Sequence, residues 1–175
     1  MTEVFVERTW PAPITDEGMQ MMSAMFAGCL GLHRVAWCGS WLSSDGTETC
    51  CHFRAPDAES VRIAARDAPS THDSTWACHI HDAPAFSVEN LRSSNVLVIR
   101  SFDQPVEAAA IRSLEAAAAG LFDAHHVRFV RTHLSTSGRR MVCVYQAPDA
   151  DVVARVLQEA GMPFERIRAV RRYEP

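Results

Sequence analysis

The residues best suited to chemistry are cysteines and histidines lying close together in the chain. In Cys78-His79-Ile80-His81 the two imidazoles occupy alternate positions. Alternate residues of a strand project from one face, so His79 and His81 would stand side by side if this segment is extended. A His-x-His strand pair is a two-point anchor for a divalent transition metal such as nickel, copper or zinc. By the same rule Cys50 and His52 share one strand face while Cys51 points to the other. The two pairs would make a four-ligand set if their faces agreed, and hydrogen-bonded or solvated histidines would give the same pattern.

A second set of residues points to a small organic ligand. Arg8 and Arg100 occupy equivalent strand ends and could each hold a carboxylate, although pairing with a nearby acid is the ordinary use of such an arginine. Trp37 offers a flat aromatic wall beside them. Nucleophilic catalysis fits less well, because the adjacent pairs Cys51-His52 and Cys78-His79 would point to opposite faces of their strands. The sequence contains no lysine, which excludes Schiff-base chemistry and a lysine general base. No catalytic residue emerges, and whether the chain is an enzyme stays open.

The elements that must position these residues come from an internal repeat. Sliding the sequence by about 92 residues lays ETCCHFRAPDAESV over RRMVCVYQAPDADV without a gap, so the chain is a duplication. Val4, Val6 and Arg8 fall on Val96, Val98 and Arg100, and Leu42, Ser43 and Gly46 fall on Leu134, Ser135 and Gly138. Each half reads as strand, helix, two strands joined across an Asp-Gly or Ser-Gly turn, helix and strand. Asp57 is placed to cap the helix carrying Ala58, Val61, Ala65 and Ala68. The expected organisation is a first repeat over 1–83, a connector over 84–93 and a second repeat over 94–175. Several strands are apolar at consecutive positions, Val96 to Ile99 above all, which predicts sheets buried on both faces. The expected fold is therefore α+β: tandem ferredoxin-like βαββαβ repeats packed as a pseudo-twofold dimer, like a dimeric α+β barrel. A pocket for a small molecule would then lie between the two packed sheets.

The composition is that of an ordinary globular chain, 47% apolar and 22% charged, with a net charge of -4. The arginines are scattered apart from a group near the C-terminus, so nucleic acid is not the expected partner. The start of the chain lacks a signal-peptide pattern and no stretch approaches a membrane span, which gives a cytoplasmic expectation with no membrane partner. Six cysteines without framework spacing are expected as thiols. Self-association is left open.

The stretch VFVERTWPAPITDEG, the pattern V-x-W-x-x-S-W-x-S-x-D-G and the step C-x-F-x-APDAESVR together resemble a family of small ferredoxin-like domains whose named members are nickel-binding proteins. The resemblance covers nearly the whole chain in two copies, strongest at Cys51–Ala58 and Cys143–Ala150. It implies a small metal-binding protein of the nickel type. Family members carry histidines in and just after the second helix, where this sequence has Arg66 and Pro69 in one half and Gln158 and Gly161 in the other.

Overall fold

A computed structural model describes residues 1–66 and 72–175, so the expected helical position of Ala68 lies outside the described residues. The chain is α+β and divides into two compact units, 1–78 with 171–175, and 79–170. The first unit contains β1 (Thr2–Thr9), α1 (Asp16–Leu32), β2 (Ala36–Ser43), β3 (Glu48–Ala55), α2 (Ala58–Ala64) and most of β4 (His72–Asp82). The second contains α3 (Val88–Arg92), β5 (Val96–Ser101), α4 (Ala108–Ala124), β6 (Arg128–Ser135), β7 (Arg140–Gln146), α5 (Ala150–Glu159) and most of β8 (Arg166–Tyr173). All of these pairings are antiparallel: β1 lies between β3 and β4, with β2 outside β3, and β5 lies between β7 and β8, with β6 outside β7.

The alternation of side chains gives each sheet two distinct faces. In the first unit Val4, Val6, Phe53 and Ala55 pack against Val61 and Ala64 of α2. Glu3, Phe5 and Glu7 project to the opposite face, where the Phe5 ring stacks 6.1 Å from Trp41 and 5.0 Å from Trp76. In the second unit Val96, Val98, Cys143 and Tyr145 form the core with Ile111 and Phe122 of α4 and Val153 and Leu157 of α5. The expected connector contains the short helix α3, whose N-cap Ser87 accepts from the Asn90 amide and whose Leu91 is buried.

The same devices build both units. Asp57 and Asp149 each cap a helix by accepting from a backbone amide three residues on, at 2.7 Å. At each hairpin tip a glycine adopts positive φ, +74° at Gly46 and +69° at Gly138. Its carbonyl accepts a 2.9 Å hydrogen bond from the chain entering the helix, Ile14 in one case and Val106 in the other. A Cβ would lie 2.6 Å from the Ile14 carbonyl oxygen at Gly46 and 2.9 Å from that of Val106 at Gly138. Both the turn and the close approach therefore require glycine. Gly46→Ala and Gly138→Ala should each cost about 1–3 kcal/mol in urea denaturation. Losses below about 0.5 kcal/mol at both positions would show that the turns relax around a side chain.

Candidate functional site

On the face of the first sheet turned away from its helices, three ligating groups of different chemistry converge. The Glu3 carboxylate, the Cys38 thiol and the His52 imidazole offer one oxygen, one sulfur and one nitrogen that all lie within 4.8 Å of one another. This is the one such group of three or more among the described residues. Glu3 and His52 come together because Phe5 pairs with His52 across β1 and β3, which makes Glu3 its diagonal neighbour on the same face. The Glu3 carboxylate lies 2.5 Å from Nε2 of His52 and also accepts from Nε of Arg54 at 3.1 Å.

Cys38 reaches this face through an irregularity. Trp37 pairs with Phe53 and Gly39 with His52, so Cys38 is the extra residue of a β-bulge, and bulges re-aim the side chains beside them. Gly39 sits at a φ of +141°, and a Cβ there would lie 2.7 Å from Nη2 of Arg172. That guanidinium stacks 4.6 Å from the centre of the Trp41 ring and donates to the Cys38 carbonyl at 3.3 Å. The glycine thus lets Arg172 close over the bulge. The second unit repeats the register shift between Phe129 and Arg131 but has Asn95, Val130 and Val144 where the first has Glu3, Cys38 and His52. The ligand set exists once.

Of the metal ligands read from the sequence, His52 belongs to this group, and Cys50 lies two residues before it on the same strand face, buried. Those two belong to the first unit, whereas His79 and His81 belong to the second. His81 lies 3.4 Å from Nη1 of Arg112, and burial, followed by the Arg112 charge, holds its imidazole below the ordinary value. Glu3 and Cys38 were not legible as ligands, since one depends on cross-strand register and the other on the bulge.

On the helix side of the first sheet, Arg8 and Trp37, both read from the sequence as ligand-binding, line a cavity of about 80 Å³ beneath α1. Its walls are mostly apolar, with Trp10, Met22, Phe26 and Leu30 among them. The polar groups at its floor are linked: Trp37 Nε1 donates to the Ser40 hydroxyl at 2.9 Å, which donates in turn to the Cys51 thiol at 2.9 Å.

Arg100 occupies the equivalent place in the second unit, but inside a closed core. Its Nε donates to the Pro163 carbonyl at 2.9 Å and its Nη1 to Sγ of Cys143 at 3.1 Å, and Thr132 lies 3.1 Å from the same sulfur. Burial pushes the Cys143 thiol up, which makes it an inert packing residue rather than a nucleophile. The charge of Glu115 on α4 contributes to the electrostatic surroundings of Arg100. Burial pushes Glu115 from 4.5 up to about 7, with Arg100 and Arg112 pulling it back.

A carboxyl group with a raised folded pKa binds more protons in the native state than in the unfolded one. Its contribution is therefore complete below about 4.5 and is lost as pH rises through about 7. Glu115→Gln removes that proton from the balance. Measured by chemical denaturation between acidic and mildly alkaline pH, the stability of this variant relative to the parent should rise by up to about 3 kcal/mol. A pH-independent difference would show that Glu115 stays ionised in the folded chain.

Among the described residues no helix is long and apolar enough to cross a membrane. No curated protein sequence matches the chain significantly. Among solved structures, TA0507, provisionally assigned as a chlorite dismutase, aligns with 99% of this chain and 96% of its own at 11% identity and a TM-score of 0.51. A heme-binding protein from Thermus thermophilus aligns with 99% of this chain and 91% of its own at 10% identity and a TM-score of 0.50. At such identities the likeness is one of fold, an α+β architecture running the length of the chain. SCO4226 from Streptomyces coelicolor A3(2) aligns over 43% of this chain and 93% of its own, with 16% identity and a TM-score of 0.40. The nickel responsive protein SCO4226-like family matches twice, over residues 5–76 and 97–170, once in each copy of the repeat. With most of its length matched in two tandem segments, the chain belongs to the SCO4226-like nickel responsive protein family.

Proposed function

We propose that the chain binds a divalent transition metal of the nickel type through His52, Cys38 and Glu3. The observation that carries this reading is the convergence of a nitrogen, a sulfur and an oxygen donor within 4.8 Å. Imidazole and thiolate donors favour nickel, copper or zinc over magnesium or calcium, and the carboxylate adds compensating charge. Membership of a nickel responsive family supports the same class of ion. We read each half as a ferredoxin-like copy in which the central strand, β1, carries Glu3 into line with its neighbour's histidine.

Binding would exchange the contact between His52 and Glu3 for bonds to the ion and would require the Cys38 thiolate, so protons are released as metal is taken up. Cys50 is a further sulfur donor on the same face of β3. The His79 and His81 pair is a second, two-point anchor and is expected to hold an ion more weakly than the three-donor group.

Native mass spectrometry and calorimetric titration of untagged protein with Ni²⁺ should give about one tightly held ion per chain, with a loss of tenfold or more in affinity for His52→Ala and for Cys38→Ser, at least ~1.4 kcal/mol. The double variant His79→Ala with His81→Ala should retain the tight ion. If the double variant loses it while Cys38→Ser keeps it, the site is the β4 pair. If the parent protein takes up no nickel, copper or zinc above background, the metal reading fails.

A further inference from the structure

The second unit carries a groove of about 680 Å³ between α4 and the end of β4. Arg112, Glu115, Ala116, Ala119, Phe122 and Asp123 follow one another at helical spacing and give α4 one continuous face along it. The chain after β4, Ala83-Pro84-Ala85, supplies another wall, and Val127 and Phe129 line the groove where β6 begins. The wall after β4 is held in place. Asp82 accepts from Nε and Nη2 of Arg131 at 2.6 Å and 3.0 Å, and the Ala83 amide donates to the Val130 carbonyl at 3.1 Å. The Arg131 guanidinium also lies 4.6 Å from the centre of the Phe86 ring. The first copy has Gln20, Ser23, Gly31 and Ala36 where the second has Arg112, Glu115, Asp123 and Arg128, so these charges exist once.

We propose that this groove binds a small organic anion, a flat hydrocarbon of about two rings that carries one carboxylate. The carboxylate accepts from the Arg112 guanidinium. The ring system lies between Ala116 and Ala119 of α4 and the wall after β4, against Phe122 and Phe129.

The chemistry of the lining selects this class. The volume falls within the ~300–1,000 Å³ of small-molecule sites, which are mostly apolar with a few convergent polar groups. Short side chains on both walls suit a flat body, and two phenyl rings offer it aromatic contacts. Arg112 supplies the charge at one end, and a guanidinium presents a planar fork of donors that matches a carboxylate. Its Nη1 lies 3.4 Å from Nδ1 of His81, beyond the roughly 2.7–3.2 Å of a well-formed hydrogen bond. Among the described residues no carboxylate forms an ion pair with Arg112, so its donors are available. Asp123 stands eleven residues on, about 16 Å along the helix, and opposes a negative charge at that end. Arg128 beside it already donates to Asn90 Oδ1 at 2.9 Å and Gln146 Oε1 at 3.3 Å. The groove therefore has a direction, with the carboxylate at Arg112. It belongs to the second unit, whereas Glu3, Cys38 and His52 belong to the first, so it stands or falls independently of the metal reading.

The test is a calorimetric titration of the full chain with naphthoate, with naphthalenemethanol as the uncharged comparison and a chelator present to keep His79 and His81 free of metal. Naphthoate should bind saturably and raise the thermal midpoint, and the alcohol should bind at least tenfold more weakly. Arg112→Gln should lose naphthoate affinity at least tenfold while binding the alcohol as the parent does. Ala119→Leu, which fills the groove from an exposed helix position, should weaken both ligands at least tenfold. Both variants should keep an unchanged far-ultraviolet circular dichroism spectrum, and His52→Ala should leave naphthoate binding intact. Equal affinity for the alcohol would overturn the role of Arg112, and undiminished binding by both variants would overturn the location. The absence of any saturable heat up to about 10 mM naphthoate, the weak end for a ligand of this size, would overturn the site altogether.

Discussion

A strand whose two faces are both buried must find separate partners for the side chains on each face, and that constraint organises this protein. In β1 the odd residues Glu3, Phe5 and Glu7 go one way and the even residues Val4, Val6 and Arg8 the other, and Val4 to Arg8 are all buried. Polar groups placed on such a strand cannot be left to solvent, because burying an unpartnered charge costs several kcal/mol. Glu3 is met by His52 and Arg54, and Glu7 accepts from the Trp76 indole at 3.1 Å. Arg8 sits among the hydroxyl and thiol groups of the helix side. Two groupings of different chemistry, a cluster of oxygen, sulfur and nitrogen donors and an arginine lining an apolar cavity, arise on the opposite faces of a single sheet.

Much of this architecture was legible in the sequence because the signals are local or repeated. The shift of 92 residues recurs in the structure element by element: α1 at Asp16–Leu32 becomes α4 at Ala108–Ala124, and β2 at Ala36–Ser43 becomes β6 at Arg128–Ser135. The Ala-Pro-Asp step works as a helix start in both copies, and the two hairpin glycines take the conformation their position in the turn demands. Arg8 and Trp37 share a lining, although on the helix side of the sheet rather than on the face expected from sheet packing.

The remainder was hidden for identifiable reasons. Strict alternation back from Ser40 along β2 would put Cys38 on the helix side and Trp37 away from it, and the bulge reverses that parity for Cys38 and Trp37. Nothing in Trp37-Cys38-Gly39 announces a bulge except the glycine, and a glycine in a strand is a weak signal. Glu3 belongs to the donor group only through register with β3, a non-local property that single-sequence patterns do not encode. The cavity is harder still to foresee, because it consists of missing volume: Ala64 and Ala65 look like ordinary small helix residues until they are set against Val156 and Leu157.

That missing volume has an energetic consequence for how the duplication can divide its labour. Shortening Leu to Ala in a packed core costs about 2–5 kcal/mol, so a copy that keeps such a cavity gives up a substantial part of a small domain's stability. The burial of the helices follows the same division. α4 is anchored by Ile111, Ala118 and Phe122, whereas α1 buries Met19 alone and leaves Met21 and Met25 exposed by 64% and 68%. The helix that roofs the cavity is therefore held by fewer buried apolar residues than α4, and regions of that kind open at lower free energy than the rest of a fold. The core of the second copy buries Tyr145, Leu157 and Cys143 fully. A duplicated chain can keep one copy more densely packed while the other carries a cavity beneath its first helix, and a single unduplicated domain has no such reserve.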